Sequence, residues 1–106
     1  MMNQVFIVGR IASMEEQKEK KGLNLVLAVP RSYKNEEGLY DTDFIDVSIW
    51  DNIASNVMEY CNKGDLVGIK GRIQTENYET ENGEKKKATK IIAEKVTFLS
   101  SKKNEG

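Results

Sequence analysis

Residues 43–50 read Asp-Phe-Ile-Asp-Val-Ser-Ile-Trp, a pattern that fits little besides a β-strand. Ile45, Val47 and Ile49 alternate with Phe44, Asp46, Ser48 and Trp50. A period of two puts successive side chains on opposite faces of a sheet. The aliphatic row is the core face. Phe44 and Trp50 then fall on the face that should be wet. An aromatic on an open sheet face is a platform for an unpaired base. It is equally a surface for another chain or a long loop to cover, and the stretch alone leaves both readings open.

The rest of the chain supplies partners for this strand. Residues 5–11 form a first strand, with Gly9 marking a bulge or sharp bend. Residues 13–22 are charged and mixed in sign, which reads as a solvated turn rather than a short helix. Leu23, Leu25, Leu27 and Val29 form the core side of a second strand, and Pro30 belongs at its end or at an edge. Asn35-Glu36-Glu37-Gly38 carries turn chemistry, and the third strand starts near Thr42. After Trp50 the period changes. Asp51 is placed to cap a helix, in which Ile53, Ala54, Val57, Met58 and Cys61 share one face. Gly64 is suited to the left-handed C′ position that ends it. A fourth strand spans residues 66–78 and a fifth spans residues 85–99. Between them Asn82-Gly83 fits a type I′ hairpin turn. Residues 100–106 make a short, loose polar tail.

The predicted fold class is therefore all-β with one short helix. Five strands with the helix between the third and fourth is the order of the OB-fold, a five-stranded Greek-key barrel. One domain covering residues 1–99 suits a chain of 106 residues. Such barrels use the face of strands two and three for oligonucleotides or oligosaccharides, although fold alone does not set function.

Composition narrows the chemistry. The chain has no histidine, so the commonest general base and the commonest metal ligand are missing. Its single cysteine, Cys61, excludes an intramolecular disulfide and fits a cytoplasmic setting. No apolar run reaches membrane-spanning length, and Met1-Met2-Asn3-Gln4 does not open a signal peptide. Nothing combines a nucleophile, a base and an orienting group, so no catalytic residue and no enzymatic activity are expected. Asp41, Asp43 and Asp46 lie close in sequence but lack the glycine-anchored spacing of a calcium loop. They read as a solvated acidic edge, and no metal or other cofactor is expected. Cys61 reads as a buried, inert thiol.

What remains is binding. Tyr33, Phe44, Trp50 and Tyr78 are the candidate stacking residues. Each base stacked on an aromatic contributes roughly 1–3 kcal/mol, whatever the base. Arg31 and Lys34 flank Tyr33, while Lys70 and Arg72 share the face of Tyr78. Arg10, Lys85, Lys86, Lys87 and Lys90 complete the candidate phosphate contacts. Phe6 and Phe98 read as core or subunit contacts. Tyr40, at a turn, and Tyr60, ending the helix, read as structural. The net charge of −1 argues against coating nucleic acid by bulk charge.

These residues resemble the bacterial-type single-stranded DNA-binding protein family. The likeness runs through Val8-Gly9-Arg10, Leu27-Ala28-Val29-Pro30-Arg31, Thr42-Asp43-Phe44-Ile45, Lys63-Gly64-Asp65, Lys70-Gly71-Arg72-Ile73-Gln74-Thr75 and Lys90-Ile91-Ile92-Ala93-Glu94. It implies a homotetramer that wraps single-stranded DNA without sequence preference. It also implies that the stacking positions match Tyr33, Phe44, Trp50 and Tyr78, and that part of Val5, Phe6, Ile7 and Val8 is used in subunit pairing. The implied role is to protect and organise single strands in replication, recombination or repair, in the cytoplasm of a bacterial host at the nucleoid.

Departures from the family pattern add further expectations. The family's acidic tail tip has no counterpart in residues 100–106, so tail-mediated recruitment of repair enzymes is not expected. Glu76 and Asn52 stand where the family often has a base, and Asp46 lies between two stackers. Affinity and salt dependence should both be modest. The short tail also fits a second reading, a dimeric OB-fold subunit of the primosomal type that bridges replication enzymes.

Overall fold

The structure is a computed structural model that describes residues 1–17 and 21–100. Its elements run β1 (Val5–Gln17), β2 (Gly22–Lys34), β3 (Tyr40–Trp50), α1 (Asp51–Tyr60), β4 (Leu66–Glu79) and β5 (Lys85–Ser100). The strands close into a barrel in the order β1-β2-β3-β5-β4. Neighbours are antiparallel except for a short parallel pairing of β3 with β5 at Val47–Ile91 and Ser48–Ile92. The expected fold class and the place of the helix hold.

The core follows the alternation. Leu23, Leu25 and Leu27 of β2 meet Val47 and Ile49 of β3 and Ile69 and Val67 of β4. Ala54 and Val57 of α1 close one end. Leu25, Leu27, Ile49 and Val57 are fully buried, and burial of each such aliphatic side chain contributes about 1.5–3 kcal/mol. Closure needs glycine at Gly71. A Cβ there would stand 2.2 Å from the carbonyl oxygen of Ile92, beside the register shift between Lys70 and Gly71. Cys61 is buried, as expected, and burial together with nearby Asp65 pushes its thiol pKa up.

Several boundaries differ from expectation, each for a physical reason. Residues 13–17 are not a solvated turn, because they continue β1 and pair with residues 22–26 of β2. A bulge between Ile11 and Ser13 breaks the alternation there, which hides the strand in the sequence. That bulge does not fall at Gly9, whose missing Cβ instead lets Ala28 approach. β2 runs past Pro30 to Lys34, and β3 begins at Tyr40, because the two strands continue as a hairpin beyond the barrel wall. The register slips between Pro30 and Lys34, where proline cannot donate to the ladder.

The helix ends also differ. Asp51 is the first residue of α1, with φ of 55°, and not its cap; Trp50 holds the cap position without a side-chain hydrogen bond. Cys61 is the C-cap, so Gly64 lies beyond the C′ position, where its φ of 93° serves the turn into β4. There the Gly64 N–H donates to the Ile11 carbonyl at 2.8 Å.

The β4–β5 hairpin is not type I′. Among the described residues Asn82 does not take positive φ, whereas Gly83 has φ of 82°. The Gly83 N–H donates to the Thr80 carbonyl and the Thr80 N–H to the Glu84 carbonyl. This is a turn closed by a left-handed glycine. The β2–β3 hairpin repeats it with Asn35, Gly38 and Leu39, and there the Asn35 side-chain oxygen accepts from the N–H groups of Glu37 and Leu39. Ser100 closes β5 opposite Leu66, and the remainder of the expected tail, residues 101–106, lies outside the described residues.

Candidate nucleic-acid interface

Directly opposed residues in neighbouring strands share a face, so the register maps the outer wall. Arg10, Ala28 and Phe44 form one row across β1, β2 and β3. Ser13, Val26 and Asp46 form the next, followed by Glu15, Asn24 and Ser48, and then Gln17, Gly22 and Trp50. The parallel pairing carries the wall from Ser48 to Ile92, and Ile92 faces Arg72 of β4. From there Gln74 faces Lys90, Glu76 faces Ala88, and Tyr78 faces Lys86.

Three of the four expected stackers are open. Phe44 is 64% exposed, Tyr33 63% and Tyr78 50%. Trp50 differs from expectation in being half-buried. Ser48, expected on the wet face, is buried on the outer side next to Ile92. Ile92 is likewise buried but stands apart from the barrel core. Together they make a buried floor between the β2–β3 and β4–β5 halves of the wall. Sequence reasoning missed this floor. Its signal is the adjacent pair Ile91-Ile92, since two consecutive apolar residues in one strand must face opposite sides.

None of the four rings contacts another; the ring pair among the described residues is Tyr60 with Phe98, 6.2 Å between centroids. Tyr33 lies in the irregular stretch of the β2–β3 hairpin, and Tyr78 lies near the tip of the β4–β5 hairpin. There Tyr78 borders an open hollow of about 560 Å³ with Asn77, Glu79, Lys85, Lys86 and Lys87. Phe44 lies toward the hairpin end of β3, and Trp50 lies at its other end, opposite Gly22. Separate, mutually unstacked rings suit successive splayed bases better than a single small ligand.

The expected cations are arranged less freely than the sequence indicates. Arg31 is held by Asp43, with its Nε 3.2 Å from both carboxylate oxygens and Nη2 2.9 Å from Oδ1. Asp41 lies 3.8 Å from its Nη1. The hydrogen bond and the charge of Asp43 raise the Arg31 pKa, and Arg31 in turn holds the Asp43 carboxyl below its ordinary value. Lys90 pairs with Glu76, and Arg72 pairs with Glu94 at 3.6 Å and with the Gln74 side chain at 3.0 Å. Arg10 donates to the Gly64 carbonyl at 2.9 Å, which ties it to the turn before β4. The Lys34 ammonium sits 5.8 Å from the centre of the Tyr40 ring. Lys86 reaches Glu84 at 4.0 Å, and Lys70 faces Lys95 on the part of the wall occupied by Phe6.

The expected subunit contacts divide by strand alternation. Phe6 and Val8 point outward and are exposed, whereas Ile7 packs on the core and Val5 is half-buried. Gly68 opens a shallow space between Val8, Thr97 and Leu99 on the same wall. Among the described residues no cluster of metal-ligating side chains occurs, and no helix is long and apolar enough to cross a membrane.

A closed five-stranded barrel, with its helix between β3 and β4 and unstacked aromatics along the β2–β3 face, defines an OB-fold binding module. Within that class, residues 2–99 match the single-strand binding protein family, and the chain belongs to it. The single-stranded DNA-binding protein 3 of Listeria innocua is 41% identical, over 98% of this chain and 68% of its own length. The single-stranded DNA-binding protein B of Bacillus subtilis is 38% identical, over 99% of this chain and 96% of its own length. Among solved structures, a Plasmodium falciparum SSB complex with ssDNA superposes with a TM-score of 0.76. It covers 94% of this chain and 96% of that one at 24% identity, a likeness of fold.

Proposed function

We propose that this chain binds single-stranded DNA without sequence preference, stacking bases on Phe44, Trp50, Tyr33 and Tyr78. The supporting observation is that Phe44, Trp50 and Tyr78 share the outer wall by register, that none of the four rings contacts another, and that all but Trp50 are open. Arg31, Lys34, Arg72, Lys90 and the lysines of the β4–β5 hairpin supply phosphate contacts beside them. Arg10 and Lys70 lie farther along the wall and contribute less. Residues 1–99 act as one binding unit, and the chain works by binding and not by catalysis. Its place is the bacterial cytoplasm at the nucleoid, where it protects single strands during replication, recombination or repair.

Copies assemble through the outer wall of β1, where Phe6 and Val8 are exposed, and a homotetramer is the expected state. Titration with oligo-dT should quench Trp50 emission, and duplex DNA of equal length should not. Absence of both quenching and a gel shift at low salt would overturn the binding reading. A dimer by light scattering, combined with weak DNA binding, would favour the bridging-subunit reading instead.

A further inference from the structure

Gly22 opens β2 directly opposite Trp50. It is buried, and the six-membered half of the indole covers it. A Cβ at this position would lie 2.5 Å from Cζ3, 2.7 Å from Cε3 and 3.1 Å from Cη2 of Trp50. The backbone does not ask for glycine here. Among the described residues the left-handed glycines are Gly38, Gly64 and Gly83, and just before Gly22 it is Lys21 that is left-handed, with φ of 52°. Glycine therefore stands one residue past the place where its conformational freedom would matter. The main chain around Trp50 is also fastened, since the Asp51 N–H donates to the Lys21 carbonyl at 3.1 Å and Asp51 itself has φ of 55°. With the backbone pinned on both strands, a methyl group at position 22 must be accommodated by the ring.

We infer that Gly22 is a positioning residue for Trp50: its missing side chain seats the indole against the start of β2. That seat explains why Trp50 is half-buried while Phe44, six residues earlier on the same face, is open. The ring then backs onto the sheet and presents its free side outward, a fixed platform that loses little freedom when a base stacks on it. This inference rests on the proposed stacking role of Trp50.

The test uses Gly22→Ala, Trp50→Ala and the double variant in the full chain. Trp50 is the sole tryptophan, so near-UV circular dichroism and iodide quenching of its emission report the ring without DNA. With Gly22→Ala, the near-UV indole signal should change and iodide access should rise. The oligo-dT dissociation constant should increase about five-fold, a fraction of one stacked base. In the Trp50→Ala background the same change should add no further loss, because its effect passes through the ring. Any thermal stability that Gly22→Ala costs in the parent should not be lost again when it is added to Trp50→Ala. An unchanged Trp50 signal, an equal loss of affinity in both backgrounds, or an equal loss of stability in both would each overturn the inference. Unchanged affinity in Trp50→Ala alone would overturn the stacking role of Trp50, while the free-protein signals would still show whether Gly22 seats the ring.

Discussion

Arg31 and Asp43, on neighbouring strands at the edge of the β2–β3 face, form a two-pronged ion pair closed at 2.9 Å. A guanidinium and a carboxylate match in this geometry, so the pair is directional as well as electrostatic. The pair holds Arg31 already partnered, so a phosphate reaching it on the proposed DNA path would compete with Asp43.

The pair carries a signature in pH. Arg31 holds the Asp43 carboxyl below its ordinary value of 3.8, through the hydrogen bond first and then through charge. A depressed carboxylate pKa stabilises the folded state above the unfolded value, and that contribution is lost as pH falls through the folded pKa. Carboxyl chemical shifts followed by NMR should show Asp43 titrating below its ordinary value. Arg31→Ala should return its midpoint to the ordinary range.

Releasing the pair should alter the salt response. Asp43→Asn removes the competing anion and leaves Arg31 free for phosphate. The logarithmic salt slope of oligo-dT binding should steepen by about 0.7, the value of one added phosphate contact on a single strand. Affinity at low salt should rise. An unchanged slope in fluorescence titrations at several salt concentrations would place Arg31 away from the DNA path.

Asp46 lies between Phe44 and Trp50 on the outer face, opposite Val26. On the proposed path, bases rather than phosphates would pass over it. Asp46→Lys should tighten binding at low salt, with the gain fading as salt is raised. The same titrations read this out, and an unchanged affinity would mean that the strand is crossed elsewhere.

Phe44 offers the cleanest separation of binding from folding, because its ring is mostly exposed and stands outside the core. Phe44→Ala should cost roughly 1–3 kcal/mol of single-strand affinity. Its melting temperature should stay near that of the parent. The opposite outcome is expected for Gly71→Ala, where the new methyl meets the Ile92 carbonyl. That variant should lose about 2–4 kcal/mol of stability in urea melts, since the clash is with backbone that cannot turn aside.

Phe6 and Val8 should decide assembly. Phe6→Asp places a charge on the exposed β1 wall without touching the core. Light scattering should show a smaller assembly, with near-native circular dichroism. Retained mass would move the subunit contact to another wall.

The residue types along the chain determined the strands, the single helix, their order and the buried aliphatic rows. Those depend on periodicity within a few residues, and Leu23, Leu25, Leu27, Val47 and Ile49 are buried as that periodicity requires. The candidate aromatics were legible for the same reason, as the odd members of an alternating strand. Only the tertiary structure decided how the wall is put together. Ser48 lies beside Ile92, Arg31 beside Asp43 and Lys90 beside Glu76 through cross-strand register, which joins positions far apart in sequence. A bulge near Ala12 changes that register without leaving a clear local mark, and Pro30 marks a slip without setting how far the strands shift. The seat of Trp50 on Gly22 belongs to the same class: alternation placed the ring on the outer face, but the pairing of β2 with β3 set what lies beneath it.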